Sequence, residues 1–228
     1  MSPPLDDAWM DRVAHDLRGP LAPMQTAVYL LREPDIDDDQ REELLALLER
    51  QIQRLGGMIT EFDDLGRARA GRLLGRRATV EVESLLAEAV ELLQARLPQV
   101  TLAPDARGLT IQGDPPRLGQ LFRILLGQPL TRGAPAPVQA RLEHADGRLR
   151  MHCRMHCSGA SDALVAALLT SPHPDPPDDA LGLGLVIAGA IARAHDGRLD
   201  GHVAGVDTLE LVLELPAAPA PADAPDLS

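Results

Sequence analysis

Residues 6–70 carry two long stripes of apolar side chains at helical spacing, and a chain that opens this way must pack helix against helix. In the first stripe Met10, Val13, Leu17, Leu21, Met24, Val28 and Leu31 recur every three or four positions. In the second, Leu44, Leu45, Leu48, Ile52, Leu55, Ile59, Phe62 and Leu65 do the same. Between them stands Glu33-Pro34-Asp35-Ile36-Asp37, where Pro34 ends one helix and Asp37 or Asp38 caps the next. The pattern predicts helices over 6–32 and 38–70. One such hairpin buries little apolar surface alone. It either pairs with a second copy as a four-helix bundle or packs on the rest of its own chain.

His15 lies off the first stripe, so it faces solvent or a groove. Asp16 follows it, and Pro20 removes a backbone N–H and kinks the helix about one turn later. An exposed imidazole beside a carboxylate, next to a helix distortion, suits a nucleophilic histidine. Asp16 is then the group that fixes the ring tautomer and raises the basicity of the free nitrogen. The plainer alternative is a surface histidine beside an ordinary surface acid.

From about residue 78 the pattern turns mixed. Val80 and Val82 predict a short strand, Val82 to Leu97 a helix, and Val100–Leu102 and Leu109–Ile111 two short strands. Asp114-Pro115-Pro116-Arg117 opens a helix with an acid cap and proline in its first turn. Residues 138–144 and 148–157 form a hairpin across Asp146-Gly147. Residues 171–181 read as a flexible Pro/Asp-rich loop, 182–195 as a helix and 209–215 as a last strand. From residue 217 the Pro/Ala/Asp composition predicts a disordered tail. This order suits an α/β sandwich, with helices over one face of a mixed sheet.

A net charge of −12 argues against nucleic-acid binding. Two cysteines make no disulfide scaffold and fit a reducing cytosol. No signal peptide opens the chain, and no apolar run approaches the roughly 18 residues of a membrane span. A cytoplasmic protein without a membrane segment is expected. Few residues precede His15, so no sensory domain of its own is expected upstream. His152-Cys153-Arg154-Met155-His156-Cys157 offers zinc-ligand types. On a strand, though, its imidazoles and thiols point to opposite faces, so no metal site is expected and the thiols turn toward the core.

The heptapeptide His15-Asp16-Leu17-Arg18-Gly19-Pro20-Leu21 resembles the phosphoacceptor box of two-component histidine kinases, departing from it only at Gly19. Asp64-Leu65-Gly66-Arg67-Ala68-Arg69-Ala70-Gly71 is similar to the end of that family's second dimerisation helix. Gly182-Leu183-Gly184-Leu185-Val186-Ile187, followed by Ala194-His195-Asp196-Gly197-Arg198, is similar to its second glycine box and the next helix. The resemblance implies an α+β protein in three parts. Residues 1–72 form a dimeric four-helix bundle carrying the phosphoacceptor, residues 78–216 an α/β sandwich of the histidine-kinase ATPase type, and residues 217–228 a tail. It implies His15 as phosphoacceptor, Asp16 beside it, Arg18 as a group that binds the receiver or offsets phosphoryl charge, and response-regulator receiver domains as partners.

The same resemblance implies that ATP chemistry is largely lost. The Asn positions of the magnesium-binding helix fall on Ile124, which has no oxygen, and on Gln128, one methylene longer. In the segment resembling the first glycine box, Cys157-Ser158-Gly159-Ala160-Ser161, the adenine-recognising Asp is Cys157. Gly159, Gly182 and Gly184 remain as a vestigial nucleotide site. Gly19 lacks the side chain that in the family positions water to remove phosphate from the partner. The expectation is a histidine phosphotransferase with no cofactor of its own. The alternatives are an autokinase with a divergent site, which would need ATP and Mg²⁺, and a non-catalytic module that binds regulators.

Overall fold

The computed structural model describes residues 7–93, 97–127, 130–131, 136–177 and 180–219. The first amphipathic run forms two helices, α1 (Asp7–Arg18) and α2 (Leu21–Leu30), broken at Gly19-Pro20. Pro20 has no N–H to donate, and the Gly19 N–H is shared between the carbonyls of His15 and Asp16, at 3.1 and 3.2 Å. The second run is one helix, α3 (Asp38–Arg69). Of the two candidate caps, Asp37 is the one used: its Oδ1 accepts the Gln40 N–H at 2.7 Å. Trp9 of α1 stacks on Phe62 of α3 with ring centres 6.2 Å apart, which sets the register of the hairpin.

The α/β half begins with β1 (Ala78–Glu81) and α4 (Val82–Glu91), then β2 (Gln99–Leu102), β3 (Leu109–Gly113) and α5 (Pro115–Gly127). It continues through β4 (Gln139–Ala145), β5 (Arg148–His156), α6 (Asp162–Thr170), α7 (Gly184–Ala194), β6 (Arg198–Gly205) and β7 (Thr208–Pro216). The main sheet has the order β2-β4-β5-β7-β6, parallel only between β2 and β4. β1 and β3 belong to a smaller antiparallel sheet with β8 (Ala218–Pro219). Helix α4 therefore ends short of the span its apolar pattern predicts, while α6 and β6 are additions to the sequence reading. The predicted tail also needs correction: Ala218–Pro219 pair with Leu109–Thr110, and residues 220–228 lie outside the described residues. Among the described residues no helix is long and apolar enough to cross a membrane.

The core lies between the inner face of the main sheet and α5, α6 and α7. Leu142, Leu149, Met151, Leu209 and Leu213 from the strands meet Leu118, Phe122, Leu125, Ile187 and Ile191 from the helices. Leu, Val and Ile do nearly all of this packing, with Phe122 as the one large ring. Strand alternation puts Cys153 in this core and His152 on the outer face. Burial pushes the Cys153 thiol up to about 12, with the Glu210 carboxylate adding to it, so the thiol is inert.

On the sheet's outer face each glutamate of β7 is ringed by cations. Glu214 accepts from Arg150 and Arg198, and Glu210 accepts from Arg154 at 2.6 Å and pairs with His152 at 2.8 Å. Hydrogen bonds from Arg198 hold the Glu214 carboxyl below the ordinary glutamate range. Burial alone would raise Glu210, but its bonds to Arg154 and His152 bring it below as well.

The two halves are joined by a polar clasp. Asp64, buried near the end of α3, accepts from Arg117 Nη1 at 2.5 Å and from Gln120 Nε2 at 2.6 Å. Arg117 Nε also donates to the Leu73 carbonyl at 3.1 Å. The Asp114 carboxylate takes the N–H groups of Arg117 and Gly75. The Asp114 N–H donates to His195 Nε2 at 3.0 Å, so the His195 proton sits on Nδ1, which donates to the Ile191 carbonyl at 2.8 Å. A Cβ at Gly113 would stand 2.5 Å from the His195 ring, so glycine is needed there.

Two measurements check this account. Asp64→Ala strands the Arg117 guanidinium in a mostly buried position and should cost about 3–5 kcal/mol in urea unfolding. Because the folded-state pKa of Glu214 is depressed, its stabilisation is present above the ordinary value, about 4.3, and is lost as pH falls through the lower folded value. Glu214→Gln should therefore lower stability at neutral pH and flatten the decline below about pH 4.3, read by urea unfolding across that range.

Candidate functional site

His15 occupies the last turn of α1, with its side chain exposed. Its carbonyl is committed to Gly19, but its imidazole makes no hydrogen bond or ion pair among the described residues, and neither do the side chains of Asp16 and Arg18. Neighbouring helix positions diverge around the axis, so adjacency in sequence does not put the Asp16 carboxylate against the ring. What the fold does provide is clearance. His15 lies six residues beyond Trp9, about 9 Å along the helix. Counting back equally from Phe62 brings α3 to Gly56-Gly57. A Cβ at either glycine would meet nothing within 4 Å. The imidazole is thus open, and the α3 positions level with it by this count are glycines. The sequence held a signal for this: two glycines in a helix interior cost about 1 kcal/mol each and call for a reason.

The first of the vestigial nucleotide boxes is closed around committed groups. The Cys157 N–H donates to the Asp207 carbonyl at 2.9 Å, the Gly159 N–H to Asp207 Oδ1 at 2.7 Å, and the Ser158 N–H to Thr131 Oγ1 at 3.0 Å. Burial, and next the Asp207 carboxylate, push the Cys157 thiol up, so it stays neutral. Ser161 caps α6 by accepting the Leu164 N–H. Ile124 packs partly buried against the core, and Gln128 lies outside the described residues.

The segment read as a flexible loop is folded onto the second glycine box. The His173 N–H donates to the Gly182 carbonyl at 2.8 Å, and a Cβ on Gly182 would lie 2.8–2.9 Å from His173. The Leu181 N–H is held by Glu61 Oε2 of α3 at 3.0 Å. Gly184 is buried at the start of α7. The space left between Leu130, Leu168, His173, Pro176 and Gly182 is about 10 Å³. That is room for about one water, whereas a ligand pocket takes about 300–1,000 Å³. Ile124 offers no oxygen to a magnesium ion and the neutral Cys157 thiol offers no carboxylate to adenine, so the described residues of these boxes do not fit a magnesium nucleotide.

Residues 7–71 match the family described as His Kinase A (phospho-acceptor) domain. Over 215 residues the chain is 26% identical to a bacteriophytochrome of Pseudomonas aeruginosa, covering 90% of this chain and 29% of that protein. Its fold is shared with the histidine kinase AdeS of Acinetobacter baumannii, at 15% identity and a TM-score of 0.65, covering 89% of this chain and 97% of that one. It is also shared with the histidine kinase ThkA, at 16% identity and a TM-score of 0.67, covering 95% of this chain and 63% of that one. The chain spans between 23% and 46% of the length of the curated relatives it matches, sensor histidine kinases among them. The hairpin thus belongs to the His Kinase A (phospho-acceptor) family, and with the sheet-and-helix half that follows it the chain as a whole is similar to two-component histidine kinases.

Proposed function

We propose that this protein is a histidine phosphotransferase of a phosphorelay, exchanging phosphoryl groups between His15 and the phosphoacceptor aspartate of response-regulator receiver domains. The observation that carries this reading is a contrast. The His15 imidazole is exposed and uncommitted, while Ile124 offers no oxygen to a magnesium ion and the neutral Cys157 thiol offers no carboxylate to adenine. A receiver domain supplies phosphate as an acyl phosphate and needs no nucleotide pocket on this chain. The structural relative ThkA is described in complex with the response regulator protein TrrA, which supports receivers as the partner class.

In the transfer step the unprotonated ring nitrogen of His15 attacks the phosphorus of an aspartyl phosphate. The phosphorus–nitrogen bond forms, the phosphorus–oxygen bond to the carboxyl breaks, and the receiver's carboxylate leaves. The proton on the other ring nitrogen passes to solvent. Asp16, the acid next in sequence, turns toward the ring and stabilises its positive charge as it develops, and Arg18 offsets the charge of the incoming phosphoryl group. Gly19 offers no side chain to hold a hydrolytic water, so the phosphoramidate persists until another receiver takes it.

The reading includes a homodimer. Leu45, Ile52 and Ile59 stand exposed on α3 at seven-residue spacing, and Leu21 and Val28 repeat that spacing on α2. Such a seam is built for partner helices in a four-helix bundle.

The test of transfer uses purified protein with a labelled, phosphorylated receiver. Label should move to the protein in an acid-labile, base-stable form, His15→Ala should abolish transfer, and Asp16→Asn should slow it with the fold intact. Labelling from γ-labelled ATP alone would instead establish an autokinase. Absence of transfer from every receiver of the cell, with receiver binding retained, would favour a sequestering module. For assembly, sedimentation should give a dimer, and Ile52→Asp should yield a folded monomer, because that side chain is already 57% exposed within one protomer.

A further inference from the structure

Among the described residues the strands at the sheet edges differ sharply in length. β1 and β2 have four residues each and β8 has two. Strand β6 has eight, and it pairs with β7 on one side only. A row of unpaired N–H and C=O groups of that length is a template for another strand.

Which groups are open follows from the register. The Cys157 N–H donates to the Asp207 carbonyl in line with the β5–β7 pairing. Odd-numbered residues of β7 are therefore bonded to β5, and even-numbered ones face β6. Opposite those even residues stand Arg198, Asp200 and His202. The N–H and C=O groups of Leu199, Gly201 and Val203 thus point outward, and none of them bonds another described residue. The side chains sort the same way. Leu199 is buried and Val203 half-buried on the inner face, while Arg198, Asp200 and His202 stand exposed on the outer one. Gly201 lies under α6, where a Cβ would stand 2.8 Å from Val165 Cγ1. Helix α6 packs on β6 and α7 and carries no charge beyond Asp162, so no like-charge repulsion guards this edge.

The regular pairing stops at the bulge between Val203 and Gly205, which leaves Leu199 to Val203 as the usable edge. That segment is complementary to itself. In an antiparallel pair with Gly201 facing Gly201 of a second copy, Asp200 stands opposite His202 of that copy, and the reverse by symmetry. Leu199 then faces Val203. Sliding the register either way sets Asp200 against Asp200 or His202 against His202. Both groups are available. His202 makes no hydrogen bond or ion pair among the described residues, and Asp200 has only an exposed contact with Arg198 at 3.4 Å.

We propose that this edge binds a second copy of the chain, β6 against β6, joining two five-stranded sheets into one. The two-fold axis passes through the sheet at Gly201, so both α6 helices lie on the same face, one on each side of the junction. The contact is separate from the hairpin seam. It is also small, with about six backbone hydrogen bonds, and so falls at the weak end of protein interfaces. Each hairpin dimer presents two such edges, and pairing links dimers into larger species as concentration rises.

Sedimentation equilibrium of the full chain separates the two contacts. The mass at about 10 µM reads the hairpin, and a rise between about 10 and 500 µM reads the edge, in the unaltered and the Ile52→Asp chain alike. His202→Asp, which sets acid against acid, should weaken the concentration-dependent association about tenfold. Adding Asp200→His to it exchanges the two groups and should restore the association. Both positions are exposed, and circular dichroism reports that the variants are folded. Amide hydrogen exchange over residues 199–203 should slow as the mass rises. A mass that is constant up to about 500 µM, association indifferent to His202→Asp, or an exchanged double variant as weak as the single one would overturn the proposal.

Discussion

The Asp64–Arg117 pair is the interaction on which the arrangement of this molecule depends. A buried carboxylate is intolerable without a partner, so the end of α3 must meet the first turn of α5. Arg117 and Asp114 then reach back to Leu73 and Gly75, which fixes the path of the linker between the halves. Asp64 lies eight residues beyond Gly56 on α3, about 12 Å along the helix axis. The clasp thus holds the α/β half at the base of the hairpin and leaves the level of His15 uncovered. Anchoring and phosphoacceptor chemistry occupy different turns of the same helices.

The same kind of accounting explains how the first of the two glycine boxes holds its fold. Glycine boxes serve a nucleotide by leaving backbone N–H groups free to point at it. In the first box they are satisfied internally: Asp207 takes the N–H groups of Cys157 and Gly159, and Thr131 takes that of Ser158. Beside the second box the Gly182 carbonyl accepts from His173, and Glu61 takes the N–H of Leu181. The first loop is thus complete without a ligand. Gly182 has a steric reason to be glycine: the His173 backbone is packed against it.

What the sequence made legible was whatever depended on neighbours in the chain. The hairpin helices follow from their stripes, the start of α3 from Asp37, and the β4–β5 turn from Asp146-Gly147, both of which adopt positive φ. Helix α6 was hidden because Asp162–Thr170 is apolar on most sides and shows little periodicity, although Ser161 is an ordinary cap. Strand β6 was hidden because Gly201 and Gly205 interrupt its alternation. The clasp could not be read at all: Asp64 and Arg117 are 53 residues apart, and nothing local marks either as buried. The pairing of His15 with Asp16 is the opposite case. Adjacency in sequence implies an orienting contact, and helix geometry does not supply one.

That last point bears on how His15 can react. A nucleophile held by a fixed hydrogen bond is committed before its partner arrives, whereas this imidazole is held only through its backbone, by the Gly19 N–H on its carbonyl. The helix break at Pro20 leaves the approach open, and in the proposed transfer the orienting groups are completed when a receiver docks. On that reading specificity lies in the docking surface rather than in a preformed pocket. The acyl phosphate, the metal chemistry around it and much of the geometry would then come with the partner. The chain's own contribution reduces to an accessible ring nitrogen, the nearby charges of Asp16 and Arg18, and a frame that keeps the hairpin in register.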